Sequence, residues 1–151
     1  MKRNIFIIII LFFVIFSVAL FLPAQNDYDY LRIHIRANSN LTIDQNVKYQ
    51  IKDELVKFLT PHFANVKSKE QAINIVEKLK NNMENICNNK LKENNFNYFA
   101  KIKINNEYFP TRNYNNTTLE AGYYDAVIVE LGEAEGDNWW CIMYPPLCFV
   151  N

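Results

Sequence analysis

The chain has 151 residues, half of them apolar, with 16 basic and 16 acidic side chains. That is a one-domain length with enough apolar material for a single core. The balanced charge excludes a nucleic-acid partner, because no basic excess is present to neutralise phosphates, and three glycines leave almost nothing from which to build a phosphate-cradling loop.

Lys2 and Arg3 precede an apolar run from Ile5 to Leu22 that only Ser17 interrupts. A basic flank followed by a hydrophobic segment is the pattern of export across a membrane. Two readings stand for residues 1–24. One is a signal peptide with its apolar core at Ile5 to Phe16 and small residues at Ser17-Val18-Ala19 for cleavage. The other is an uncleaved anchor, since Ile5 to Leu22 comes near the low end of the roughly 17–25 residues that span a bilayer. Either way the membrane is met through residues 5–22 at least during export, and the chain after Ala24 lies outside the cytoplasm. Without Lys2 and Arg3 the exported part has 14 basic against 16 acidic residues. Its three cysteines permit one disulfide and leave one thiol.

Residues 25–30 are a polar tether, and residues 31–151 read as one exported domain. Leu31 to Ala37 alternates strictly, with Leu31, Ile33, Ile35 and Ala37 on one face and Arg32, His34 and Arg36 on the other. This predicts a half-buried strand with a solvated or partner-facing basic row. His34 between two arginines reads as such a side chain, its pKa lowered by its cationic neighbours. Asn38-Ser39-Asn40 breaks the strand. Thr42 to Gln45 has capping-box spacing and predicts a helix start, followed by the stripe Val47, Ile51, Leu55, Phe58 and Leu59, with Pro61 as its stop. Ser68 to Gln71 repeats the signature and opens a second amphipathic helix through Ala72, Val76, Leu79 and Met83 to about Leu91, with Cys87 beside the stripe as a packed thiol. Asn94-Asn95 predicts a left-handed exit.

From Tyr98 the period becomes two, and Asn105-Asn106 reads as a hairpin turn into Tyr108-Phe109, where Pro110 ends the pairing. Thr111 to Thr118 reads as a polar loop. Tyr123 to Leu131 is a further strand, and the acidic turn Glu133 to Asp137, a solvated loop, leads to the last one. That strand is unusual: Trp139, Cys141 and Met143 alternate with Trp140, Ile142 and Tyr144, and both sets are apolar. The expectation is an α+β fold in which two amphipathic helices pack on one face of an antiparallel sheet of about four to five strands, in the order β-α-α-β-β-β-β. The second apolar face then needs its own cover: the Pro145 to Asn151 tail, the Thr111 to Thr118 loop, or another protein.

No hydrolase nucleophile elbow, zinc-spaced His/Cys cluster or His-Glu-x-x-His motif occurs, and nothing suggests a metal, a cofactor or a small-molecule substrate. Cys141 and Cys148 are spaced unlike a redox Cys-x-x-Cys pair and flank Pro145-Pro146, so they read as a structural disulfide. Trp139 and Trp140 point to opposite faces and cannot form one sugar-stacking platform.

Leu31 to Ser39 with Asp44-Gln45, Phe109-Pro110-Thr111-Arg112, Ala121-Gly122-Tyr123-Tyr124, and Asn138-Trp139-Trp140-Cys141 with Pro145-Pro146-Leu147-Cys148-Phe149 together resemble the stage II sporulation protein R family of endospore-forming bacteria. The resemblance implies a protein made in the forespore and exported into the space between the two sporulation membranes. There it would trigger a membrane-embedded aspartic protease to process pro-sigma-E, a signal and not an enzyme. Arg32, His34, Arg36, Asn38, Ser39, Arg112, Trp139 and Trp140 are the partner-interface candidates, the basic row because it projects from the polar face of the first strand and the tryptophans because the last strand has two apolar faces. The acidic turn departs from the more glycine- and lysine-containing sequence expected of the family. The competing readings are a cell-envelope enzyme or peptidoglycan-binding module using Trp139, Trp140 or His34, and a thiol oxidoreductase.

Overall fold

β1 (Leu31–Arg36) is the inner strand from which the rest of the architecture follows. In a computed structural model, residues 29–114 and 117–149 are described; the targeting segment 1–24 and the tether as far as Tyr28 lie outside them. After β1 come α1 (Thr42–Phe63), α2 (Lys69–Glu93), β2 (Ala100–Phe109), β3 (Arg112–Tyr114), β4 (Thr117–Leu119), β5 (Gly122–Leu131) and β6 (Asn138–Tyr144). The class is α+β, and the order of one strand, two helices and then strands is the one the sequence predicts. Four strands form one sheet in the order β2-β5-β1-β6, while β3 and β4 form a separate two-stranded ribbon.

The sheet is mixed, not wholly antiparallel. β1 runs antiparallel to β6 and parallel to β5, with Leu31 opposite Asp125 and Arg36 opposite Glu130. A parallel neighbour requires a crossover connection, and here it runs through the two helices, β2 and the β3-β4 ribbon. β2 pairs along all of β5, from Ala100 opposite Leu131 to Phe109 opposite Gly122. Asn105 and Asn106 therefore sit within a continuous ten-residue strand and make no turn. The ladder along β5 outweighs their local turn preference, and Asn106 Nδ2 donates to Asp125 Oδ1 at 3.2 Å.

Helix boundaries follow local chemistry with two differences. Ser68 caps α2 as predicted, its Oγ accepting from the Gln71 N–H at 3.2 Å, and Asn95 takes a φ of 61° at the exit. At α1 the cap position is Leu41, not Thr42, and Ser39 supplies the local bonds by accepting at Oγ from the Leu41 N–H at 3.1 Å. Pro61 lies inside α1, which continues to Phe63. That last residue is buried and meets Phe149 at 4.7 Å between ring centres, a contact that favours the extra half turn.

Both faces of the sheet are covered. Leu31, Ile33 and Ile35 join Ile51, Leu55 and Met83 in the core beneath the helices, with Val127, Val129 and Met143 from the flanking strands. On the other face Phe109, Tyr124, Ala126, Ile128 and Ile142 form a second layer that Leu119 and Tyr114 of the β3-β4 ribbon close. Of the three covers considered, the segment around Thr111 to Thr118 serves this face. The tail packs on the helix side, where Cys148 and Phe149 join the main core.

Gly132 marks the turn out of β5. Its φ is +58°, and a Cβ there would come within 2.2 Å of Asn38 Oδ1. Gly132→Ala is expected to lower stability by about 1–3 kcal/mol, read as a shift in the urea midpoint at unchanged slope.

Candidate functional site

The side chains that sequence reasoning assigns to a basic row lie on the second face of the sheet, and two of the three are buried. Arg32 and His34 are 0% exposed, whereas Arg36 keeps partial contact with solvent. Strand alternation correctly separates the two faces of β1. It carries no information about the ribbon that covers the polar one, and the expected solvation is overturned for Arg32 and His34.

Arg32 occupies an aromatic cage. Its guanidinium carbon lies 4.1 Å from the Phe109 ring centre, 4.7 Å from Tyr124 and 5.7 Å from Tyr114, and Nη2 donates to the Tyr114 hydroxyl at 2.6 Å. Nε and Nη1 are buried without a hydrogen-bond partner. Cation–π attraction and one hydrogen bond thus compensate a charge withdrawn from water. His34 stacks on Trp140 with ring centres 4.8 Å apart and planes 14° from parallel, and tilts against Phe109 at 5.2 Å. Its Nε2 lies 2.8 Å from Glu107 Oε2 but lacks the alignment of a hydrogen bond. Burial first, then Arg36 and Arg32, lowers its pKa to about 3, so it is a neutral ring at physiological pH. Glu107 is engaged by Arg36 Nη2 at 2.7 Å, and the charge row continues through Glu130 to Lys103, also at 2.7 Å.

Trp139 and Trp140 fall on opposite faces, and each is half-buried. Trp139 faces the helices, with Lys52 Nζ 6.0 Å from its ring centre. Trp140 lies on the second face, where the guanidinium of exposed Arg112 is 5.2 Å away. His34, Arg112 and Trp140 are thereby brought together, although they come from three separate segments.

Asn38 and Ser39 are spent within the chain. Asn38 accepts from the Glu133 N–H at 2.9 Å and donates to Asp44 Oδ2 at 3.0 Å; Ser39 Oγ donates to the same oxygen at 2.5 Å. The Tyr98 hydroxyl donates to Asp44 Oδ1 at 2.6 Å. Asn40 Oδ1 accepts from the Asp137 N–H at 2.6 Å, and Lys48 Nζ donates to the Asp137 carbonyl at 2.9 Å. These bonds tie the β1-α1 loop to the acidic turn, which is anchored at both ends and not a free solvated loop. Glu107, Tyr98 and Lys48 carry no local signal, because their partners are distant in sequence.

The structure joins Cys141 to Cys148, with their Cα atoms 6.1 Å apart. Cys87 is buried, and burial, followed by Glu84, pushes its thiol up to about 12, far from a reactive thiolate. Among the described residues no group of three or more His, Cys, Asp or Glu is placed to hold a metal ion. No described helix is long and apolar enough to cross a membrane.

The family model described as stage II sporulation protein R matches residues 27–151, which includes every element above. The chain belongs to this family. Stage II sporulation protein R of Bacillus subtilis (strain 168) is 31% identical over 121 residues, covering 80% of this chain and 54% of the relative. The chain therefore spans about half the length of the curated relative it matches. No solved structure matches. Membership in this family carries a role in sporulation, and the cage, the tryptophans and the anchored turn all lie inside the matched region.

Two expectations follow from this geometry. Arg32→Met keeps the apolar stem in the cage and removes two unpartnered donors, so it should stay within about 1 kcal/mol of the parent or exceed it. Arg32→Ser empties the cage and should cost about 3 kcal/mol or more in urea unfolding. Equal losses from both would show that the guanidinium itself holds the ribbon down.

Burial raises the Asp44 pKa, but the bonds from Ser39, Tyr98 and Asn38 outweigh it and leave it below its ordinary 3.8. A depressed carboxyl contributes stability that is complete above the unfolded pKa and is lost as pH falls through the folded one. The parent's thermal midpoint should therefore drop below pH 3.8 by more than that of Asp44→Asn, which starts lower at pH 7.

Proposed function

We propose that this chain is an exported signal of endospore formation, passed from the forespore into the space between the sporulation membranes, where it activates a membrane-embedded aspartic protease to process pro-sigma-E. Residues 1–24 serve as signal peptide or membrane anchor, and the domain acts outside the cytoplasm by contact, not by catalysis. The observation that carries this reading is the family match across the whole described domain. The side-chain chemistry supports it. The neutral His34 is packed between aromatic rings, Cys87 is a buried thiol, and the paired carboxylates Glu107 and Glu130 are held by arginine and lysine. The surface also offers a half-buried tryptophan beside an exposed arginine, the kind of anchor that concentrates binding energy at interfaces.

Co-expression of the full chain with the candidate protease and pro-sigma-E tests the reading. Processing should require the chain and should be lost when its export is blocked. Processing that proceeds equally without the chain would remove the signalling role, and release of fragments from peptidoglycan by the purified domain would point to an envelope enzyme instead.

A further inference from the structure

Among the described residues β6 is an edge strand. It pairs with β1 on one side only, and from Trp139 to Tyr144 it has no charged residue or proline of the kind that blunts exposed edges. The tail reveals which way its backbone groups point. The Ile142 carbonyl accepts from the N–H groups of Leu147 at 3.3 Å and Cys148 at 3.2 Å, so it faces away from β1. Alternate residues of an antiparallel strand direct their backbone groups to the same side. Asn138 and Trp140 thus also face outward, while Trp139 and Cys141 stand opposite Ile35 and Ile33 of β1. The loop closed by Cys141 and Cys148 covers the edge at Ile142, and no described residue bonds it from Asn138 to Trp140.

The opposite edge is treated differently. At the start of β2, α2 reaches over to satisfy two outward amides: Asn88 Oδ1 accepts from the Ala100 N–H at 2.8 Å and Glu84 Oε1 from the Ile102 N–H at 2.9 Å. The charges beside β2 are also paired within the chain, Lys103 with Glu130 and Arg36 with Glu107. At β6, the Arg112 guanidinium rests near the Trp140 ring and makes no hydrogen bond or ion pair among the described residues. A guanidinium with no anion among the described residues, held over the ring of a residue whose backbone groups face outward from an apolar strand, matches the needs of an extended chain carrying a carboxylate.

We propose that the outer edge of β6 from Asn138 to Trp140 is the docking surface for an extended, carboxylate-bearing polypeptide segment of the partner, which adds to the sheet as a further strand and places its carboxylate on Arg112. This deepens the reading of the chain as a contact signal and rests on it. Backbone pairing supplies the attachment, and Arg112 selects among strands by charge. A second copy of this chain is a poorer occupant, because joining two β6 edges would bring two Arg112 side chains to the same face of the joined sheet.

The test uses the full chain in detergent micelles and, as probe, the blocked peptide Thr-Val-Glu-Val-Thr, followed by amide shifts and hydrogen exchange. Saturable shifts and new protection are expected at the Asn138 and Trp140 amides, with the Trp139 and Cys141 amides already protected. Replacing Glu by Lys in the peptide, or Arg112→Glu in the chain, should weaken binding by about tenfold or more. Absence of these shifts, equal affinity for both peptides, or self-association through the same amides overturns the proposal. The processing assay separates it from the functional reading. Arg112 is exposed, so Arg112→Glu should keep the parent's thermal midpoint and lose processing. Wild-type failure in that assay with peptide binding intact sinks the functional reading alone, whereas full processing by Arg112→Glu sinks the docking site.

Discussion

The structure depends on β1 being buried on both faces. A strand with one apolar face could lie at the edge of a sheet or under a single layer of helices; β1 instead lies between β5 and β6 and beneath two separate covers. On the helix side Leu31, Ile33 and Ile35 meet ordinary aliphatic packing. On the other side a cation and an imidazole must be accommodated out of water. The chain does this with aromatic rings: Phe109, Tyr124 and Tyr114 around Arg32, and Phe109 with Trp140 around His34. Burying a charge with incomplete hydrogen bonding is costly, and π faces recover part of that cost only when they are held in place. The β3-β4 ribbon and β6 therefore depend on β1 as much as β1 depends on them.

A polar network gives the same strand its fixed ends. Asn38, Ser39 and Tyr98 converge on Asp44, and the loop after β1 is bonded through Asn38 and Asn40 to the turn before β6. Because β1 and β6 are neighbours in the sheet, this cross-link sets their relative position where the ladder ends. Lys48 adds a bond to the Asp137 carbonyl, and its own pKa is lowered by burial although Asp137 opposes the shift. The acidic turn is therefore held from within by backbone groups, which leaves its Glu133 and Glu135 side chains at the surface.

Two side chains able to meet a partner lie close together on the second face. Arg112 comes from the ribbon and Trp140 from the last strand, and no described residue bonds the outward backbone groups from Asn138 to Trp140. Packing and contact are coupled here: the ring that stacks on buried His34 is the one that Arg112 approaches. A change at the edge would be felt by the second layer, and a surface backed by a rigid sheet keeps ordering costs on binding small.

Much of this protein is legible in its residues alone. Period-two alternation in Leu31 to Ala37 and Tyr123 to Leu131, helical stripes after Gln45 and Ser68, and the doubly apolar run from Trp139 are local patterns, and local patterns determine element type and inward face. The family is legible for the same reason, since its motifs are contiguous. Three things only the tertiary structure decided. Asn105-Asn106 stays extended because a strand distant in sequence offers ten residues of pairing. Arg32 and His34 are buried because a ribbon eighty residues away folds over them, and polarity on an alternating face does not state whether water or an aromatic ring meets it. The last strand proves to be an edge because β1 has one neighbour on each side, β5 and β6, and nothing in the described residues pairs beyond β6. Pairing order is a property of long-range contacts, whose free energy depends on both partners at once and is written in neither segment by itself.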